Sequence, residues 1–174
     1  SSEITLQPLK RFDFDAAIIF SDILMLPYGL GQKVEFEKNF GPKLGELNLN
    51  EISKIDEIDF VEKVHRVYKA IKKVSSNSDL SDKNTIGFVG APWTLLVYMI
   101  NQQSPKKNLK KDFFKDNFLI NRILLIIEKF LKVHIKNQVD NGANIIQIFD
   151  SWAGLLEEKD LPNYIYTPTL NLVN

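Results

Sequence analysis

The side chains best placed for chemistry follow three short apolar stretches, each of which ends in a polar or glycine-proline corner. Asp22 comes two residues after the first stretch, and Asp150 and Ser151 directly follow the third, NIIQIF (144–149). Barrel enzymes place their catalytic groups where parallel strands end, so these positions could supply a carboxylate and a hydroxyl to a substrate. The alternative is structural, because Asp and Ser also cap turns and helices.

Five further residues have useful chemistry in positions that are open to more than one interpretation. Tyr98 is expected in the second turn of a helix, where half-buried packing is the commoner role. Phe88 and Phe149 come late in their strands and should form core or pocket wall. His65 and His134 fall within helices without a partner at metal-ligand spacing, so both are expected to be surface or packing residues. No glycine-rich turn matches a phosphate-binding loop.

Three strands must position these candidates. They are predicted at 16–20, 85–90 and 144–149. The first contains the run AAIIF, which has no alternation of polar and apolar residues and therefore predicts a strand covered on both faces, as in parallel sheets. Because helical patterns separate the strands, we predict an α/β fold with a parallel sheet.

The helices are predicted from apolar residues at helical spacing and from turn signals. They are expected over 56–74, from about 93, over 118–139 with a stop at Asn141 and Gly142, and from about 157 with an interruption at Pro162 or Pro168. Proline at 92 fits the first turn of the second of these helices. The segment 27–50, rich in Gly and Pro, is predicted to be a long loop in which VEFEK (34–38) forms a short ribbon.

Composition excludes several classes of function. The 174 residues carry no formal net charge, which gives no long-range attraction to nucleic acid or anionic lipid, and they include no cysteine for disulfides or thiolate metal sites. No apolar run is long enough to cross a bilayer and no signal segment opens the chain, so a cytoplasmic location is expected. The cluster KKNLKKDFFK (106–115) is predicted to be a solvated helix entry with Phe113 and Phe114 turned inward.

Three stretches in this order resemble the uroporphyrinogen decarboxylase family: LQPLKRFDFDAAIIFSDIL (6–24), GFVGAPWTLLVYMI (87–100) and IIQIFDSWAG (145–154). The resemblance covers essentially the whole chain. It implies a (β/α)₈ TIM barrel and a homodimeric carboxy-lyase of haem biosynthesis, without cofactor or metal, that removes CO₂ from the four acetate arms of uroporphyrinogen III to give coproporphyrinogen III. A complete barrel takes about 250 residues, so 1–174 is expected to be a single domain that forms a central part of one, lacking N- and C-terminal portions.

The same resemblance assigns roles to particular residues. It implies Asp22 as the central catalytic aspartate, which also binds substrate. It implies Tyr98 and Ser151 as substrate-binding hydroxyls. Phe88 and Phe149, and with them Ile18, fall at pocket-wall positions. The family's RQAGRY-like segment and its late pocket histidine have no match in these residues, and neither His65 nor His134 corresponds to that histidine.

Two other interpretations remain open. A corrinoid-dependent methyltransferase of the same superfamily would use zinc to activate a thiol, and its ligands would lie outside these residues. A non-catalytic remnant would only bind a tetrapyrrole or a partner chain, and an unclosed barrel would expose strand edges that favour association. Zinc analysis separates the first from a decarboxylase, whereas a comparison of porphyrinogen binding with CO₂ release separates the second.

Overall fold

The computed structural model describes residues 2–38, 41–105 and 115–174. Its central feature is a parallel sheet of three strands, β1 (Ala16–Ile18), β4 (Asn84–Gly90) and β5 (Ile145–Phe149), in the order β1-β4-β5. The register pairs Ile18 with Ile86 and Ile86 with Ile145. This confirms the predicted α/β class and its three parallel strands. The segment 106–114, for which a helix entry is predicted, lies outside the described residues.

Helices pack on one face of this sheet. The long ones are α1 (Ser2–Phe12), α4 (Glu57–Ser75), α5 (Pro92–Asn101) and α6 (Asn117–Asp140), and the short ones are α2 (Met25–Gly29), α3 (Leu49–Ile52) and α7 (Thr167–Val173). The helices α4, α5 and α6 contact one another or β4, and together they bury the main core. The predictions for α4, α5 and α6 are thus confirmed, whereas α1 was not anticipated from the sequence.

The ends of the long helices follow local rules. Asp56 accepts a hydrogen bond from the Asp59 N–H at the start of α4, and Asp116 does the same for Leu119 at the start of α6. Each cap satisfies a backbone donor that would otherwise have no partner in the first turn. After α6, Gly142 adopts φ 106°, a left-handed conformation that favours glycine, so the chain can turn directly into β5.

The segment 27–50 is more ordered than a long loop. It contains the end of α2, an antiparallel hairpin of β2 (Val34–Glu37) and β3 (Gly41–Leu44), and the start of α3. The hairpin confirms the predicted ribbon. The side chain of Gln32 donates to the backbone oxygens of Gly45 and Met99, which fixes the base of the hairpin to α5. The loop prediction was therefore wrong in part, because contacts distant in sequence stabilise its short elements.

The last helical segment, expected from about residue 157, is also interrupted, as predicted, but at more places than the single one expected. Short 3₁₀ turns at Ala153–Leu155 and Glu158–Asp160 lead to a single π-helical turn, Pro162–Tyr166, which continues into α7. Pro162 lies in the first turn of the π-helical segment, where a missing N–H costs no helical hydrogen bond.

The expectation that the first strand is covered on both faces is wrong. Ala17 and Ile19 are buried against the helices, whereas Ile18 and Phe20 are 60% and 61% exposed. The third strand behaves similarly, since Phe149 is 42% exposed. The apolar run in the sequence therefore belongs to a strand with one face on the helical core and the other face open. In a (β/α)₈ barrel, that second face points to the barrel interior.

Candidate active site

Asp22 lies beyond the end of β1, at the carboxyl edge of the sheet. Its Oδ1 accepts a hydrogen bond from the Leu24 N–H at 2.7 Å, so the capping role considered from the sequence is present. That bond leaves Oδ2, to which no described residue donates, for an external group. Burial raises the pKa of the Asp22 carboxyl, and the Leu24 N–H opposes this shift. None of the ion pairs between described residues involves Asp22.

Asp22 is near the end of β4 as well as that of β1. The adjacent residue, Ile23, packs against Gly90, where a Cβ would lie 3.2 Å from the Ile23 Cβ. Gly90 is the last residue of β4 and precedes the corner that opens α5. The absence of a side chain at Gly90 thus lets the Asp22 segment approach the central strand closely.

Aromatic rings line the open face of the sheet beside this edge. The rings of Phe88 and Phe149 lie 5.5 Å apart with their planes at 77°, an edge-to-face contact. The strand register places Ile18 on the same face as Phe88. The three residues expected to form pocket wall therefore share one surface, and Phe20 extends it toward Asp22.

One residue that shapes this wall was not identified from the sequence. Gln138, on α6 and 1% exposed, accepts from the Phe88 N–H with Oε1 and donates from Nε2 to the Phe88 carbonyl, both at 3.1 Å. The pairing of β1 with β4 ends just before this point, with a last bond from the Ile19 N–H to the Ile86 carbonyl. The amide of Gln138 thus satisfies the backbone of Phe88 where the neighbouring strand diverges.

Gly87 makes room for that amide. A Cβ at Gly87 would overlap Gln138 Oε1, so a larger residue would displace the side chain that holds Phe88. Two features of the sequence are consistent with this contact: a glutamine within an amphipathic helix and a glycine within a strand. Only the fold shows that the two residues meet.

Tyr98 and Ser151 occupy two neighbouring elements of the site. Tyr98 lies in α5, is partly buried as predicted, and its ring contacts that of Trp152 at 6.1 Å. Ser151 is exposed and directly follows Asp150 at the end of β5. The carboxyl ends of β1 and β5 are two strand spacings apart, about 10 Å, because β4 lies between them. Asp22 and Ser151 therefore lie at the same edge of the sheet, each beyond the end of a strand, and β4 separates those two strands.

Asp150 has a structural partner. Its Oδ1 accepts a hydrogen bond from the Thr94 hydroxyl at 2.7 Å, and Oδ2 is buried without a partner among the described residues. Burial raises the pKa of Asp150, while the Thr94 bond lowers it by less. The Asp150 carboxylate therefore joins the end of β5 to α5, which differs from the alternative considered from the sequence, a cap of the turn or helix that follows.

The two histidines lie away from the site. The Nδ1 atom of His65 is 2.6 Å from the Glu62 carbonyl on the exposed side of α4. His134 is 4% exposed and its Nδ1 lies 2.8 Å from the hydroxyl of Tyr68, and burial lowers its pKa to about 4. The prediction of surface and packing roles is confirmed. The described part of the chain contains no cluster of His, Asp and Glu that could hold a metal ion.

Across residues 2–38, 41–105 and 115–174, no helix combines the length and the hydropathy that a membrane span requires.

The model of the family described as "Uroporphyrinogen decarboxylase (URO-D)" matches residues 1–174. Curated relatives named uroporphyrinogen decarboxylase include those of Rickettsia bellii and Orientia tsutsugamushi, each 41% identical over 99% of this chain and 51% of the relative. The chain thus spans about half the length of these relatives.

A solved structure shares the fold. A methyltransferase from Methanosarcina mazei superposes with a TM-score of 0.78 over 98% of this chain and 51% of its own, at 16% sequence identity. At that identity the likeness supports the architecture, a partial α/β barrel, and carries no information about the reaction.

Proposed function

Because this chain belongs to the uroporphyrinogen decarboxylase family, we propose that it forms part of an enzyme that removes CO₂ from the acetate arms of uroporphyrinogen III to give coproporphyrinogen III. The observation that carries the proposal is the placement of Asp22, a half-buried carboxylate at the carboxyl edge of a parallel sheet, beside an open aromatic wall. Barrel enzymes bind their substrates at this edge.

The chemistry requires a site for developing positive charge. Protonation of a pyrrole ring carbon forms a cation, and this cation takes up the electron pair of the C–C bond when CO₂ leaves the acetate arm. The exocyclic CH₂ group that remains then takes up a proton and the ring loses the one it gained, which leaves a methyl group. A fixed carboxylate in a poorly hydrated cleft stabilises that cation more than water does. Asp22 would do so, since Oδ1 is oriented by the Leu24 N–H and Oδ2 remains for pyrrole N–H groups.

The other candidates would bind and orient the substrate. Tyr98 and Ser151 offer hydroxyls that can donate to acetate or propionate carboxylates. Phe88, Phe149 and Ile18 present the apolar surface expected for contact with a macrocycle. The proposal invokes no cofactor and no metal, because a protonated pyrrole itself accepts the electrons. A homodimer and a cytoplasmic location belong to the same proposal and are tested by light scattering and by fractionation.

The experiment is to incubate the purified protein with uroporphyrinogen III under reducing conditions, and to measure bound ligand, released CO₂ and coproporphyrinogen separately. Product formation that is lost in Asp22→Asn supports the proposal. Tight binding without CO₂ release would favour a binding protein instead, and stoichiometric zinc with methyl transfer to a thiol would favour the methyltransferase. Absence of both binding and product in the intact native protein that contains this chain would refute a tetrapyrrole function.

A further inference from the structure

The start of α5 and the end of β5 are joined by four hydrogen bonds. The backbone N–H of Ala91 donates to the Phe149 carbonyl at 2.8 Å. The hydroxyl of Thr94 donates to Asp150 Oδ1 at 2.7 Å and accepts from the Trp152 N–H at 3.1 Å. The indole N–H of Trp93 donates the fourth bond, to the Trp152 carbonyl at 3.0 Å. We call these four bonds the α5–β5 latch.

Thr94 is the centre of the latch. It is completely buried, and its hydroxyl serves as donor to a carboxylate and as acceptor for a backbone amide at the same time. Both partners lie 56 or more residues away in sequence, on the turn that follows β5. Loss of the hydroxyl would leave two polar groups of that turn without these partners, at a cost that buried groups do not recover from water.

The latch flanks both hydroxyl-bearing candidates of the site. Ser151 is exposed and lies between Asp150 and Trp152, each of which is bonded to Thr94. Tyr98 lies one helical turn after Thr94 on α5, and its ring contacts Trp152. The backbone on either side of Ser151 is therefore joined through Thr94, which is fully buried, to α5, the helix that carries Tyr98.

We propose that Thr94 and Asp150 are positioning residues that hold the Ser151 and Tyr98 hydroxyls in one fixed arrangement for a polycarboxylate substrate. This inference rests on the proposed function for the identity of that substrate. The latch itself stands on the contacts above. Pre-arranged hydroxyls bind a carboxylate more tightly than mobile ones, because less conformational freedom is lost on binding.

The protein contains its own reporter for the latch. The chain has two tryptophans, Trp93 and Trp152, and both take part in it. We expect Thr94→Val, which keeps the shape and removes the hydroxyl, to shift tryptophan emission to longer wavelength and to increase quenching by acrylamide. Thr94→Ser should restore the wild-type values. Thr85→Val is the matched control, because Thr85 is a buried threonine on β4 at the opposite end of the strand.

Ligand binding gives the second measurement. Uroporphyrinogen affinity is measured for Thr94→Val, for the double variant Ser151→Ala/Tyr98→Phe, and for the triple variant that combines all three changes. If Thr94 acts through the two hydroxyls, the triple variant should bind no more weakly than Ser151→Ala/Tyr98→Phe, and Thr94→Val alone should lose about tenfold, as for one lost buried hydrogen bond. A purely structural role would instead give additive losses and overturn the positioning role.

The outcomes separate the latch from the proposed function. Unchanged emission and quenching in Thr94→Val would overturn the latch. Altered emission in a protein that binds no uroporphyrinogen would refute the proposed function and still support the latch. Should Thr94→Val fail to fold, Asp150→Ala removes the acceptor of the Thr94 hydroxyl and carries the same expectations, with Asp150→Asn as its control because the amide oxygen still accepts.

Discussion

The two faces of the parallel sheet contact different surroundings. On the helical face, Ala17, Ile19 and Val89 are almost fully buried against the core formed by α4, α5 and α6. On the open face, Phe20 and Phe149 remain substantially exposed although they are large and apolar. Since burial of apolar area is the main stabilising contribution, the helical face contributes more to stability than the open face does.

The sharpest test of this comparison is a pair of truncations. Ile127→Ala, at a fully buried position of α6 behind the sheet, should lower the free energy of unfolding by about 2–5 kcal/mol. Phe20→Ala, on the open face, should change it by about 0.5 kcal/mol or less. Denaturant titrations of both variants measure the difference. Equal losses would show that the open face is covered by other parts of the protein.

Asp22→Asn tests the chemistry of the open side. The amide oxygen can still accept from the Leu24 N–H, so the turn is kept and only the charge is lost. We expect kcat to fall about 10²–10³-fold, a loss of about 3–4 kcal/mol of transition-state stabilisation, with unchanged thermal stability. Steady-state kinetics and thermal melts measure both. A variant with wild-type turnover would remove Asp22 from the mechanism.

The pH dependence of kcat/KM in the wild-type protein also tests the role of Asp22. Burial raises the pKa of Asp22, so the carboxylate takes up its proton at a higher pH than an ordinary aspartate. The acidic limb of the kcat/KM profile should therefore lie above the usual aspartate range. It should vanish, or move to another group, in Asp22→Asn.

The pH dependence of the free energy of unfolding tests the helical side of the sheet, through the buried His134. Its pKa is lowered to about 4 from 6.5, so the unfolded chain binds a proton between these values and the folded chain does not. The contribution of neutral His134 to the free energy of unfolding is therefore fully present above pH 6.5, and it falls by about 3 kcal/mol as the pH drops toward 4. Unfolding measured across this range should show the slope in the wild type and in Tyr68→Phe, and should lack it in His134→Gln. An unchanged slope in His134→Gln would assign it to other groups.

The smallest effects are expected from the hydroxyls of the site. Tyr98→Phe and Ser151→Ala should each lower kcat/KM. The expected loss of transition-state stabilisation is about 1–3 kcal/mol, the value of a lost buried hydrogen bond. Tyr166→Phe and Ser81→Ala, at exposed positions outside the site, serve as controls. Wild-type kinetics in Tyr98→Phe and Ser151→Ala would show that neither hydroxyl contacts the substrate.

Sequence reasoning succeeded where the signal is local. The helical spacing over 56–74 predicted α4, and the Asn141-Gly142 pair predicted the end of α6, because both depend on residues a few positions apart. It failed for the first strand, since the run AAIIF does not show whether helices cover one face or two. It also failed to identify Gln138, whose partners in β4 are 50 residues away.

The amino-acid sequence by itself determined the three parallel strands, the long helices α4, α5 and α6, and the family, because periodicity, capping residues and family motifs are written in short stretches of chain. Only the tertiary structure decided which face of the sheet is open, that Gln138 holds Phe88, and that Thr94 ties α5 to the turn carrying Ser151. These depend on contacts between residues that folding alone brings together.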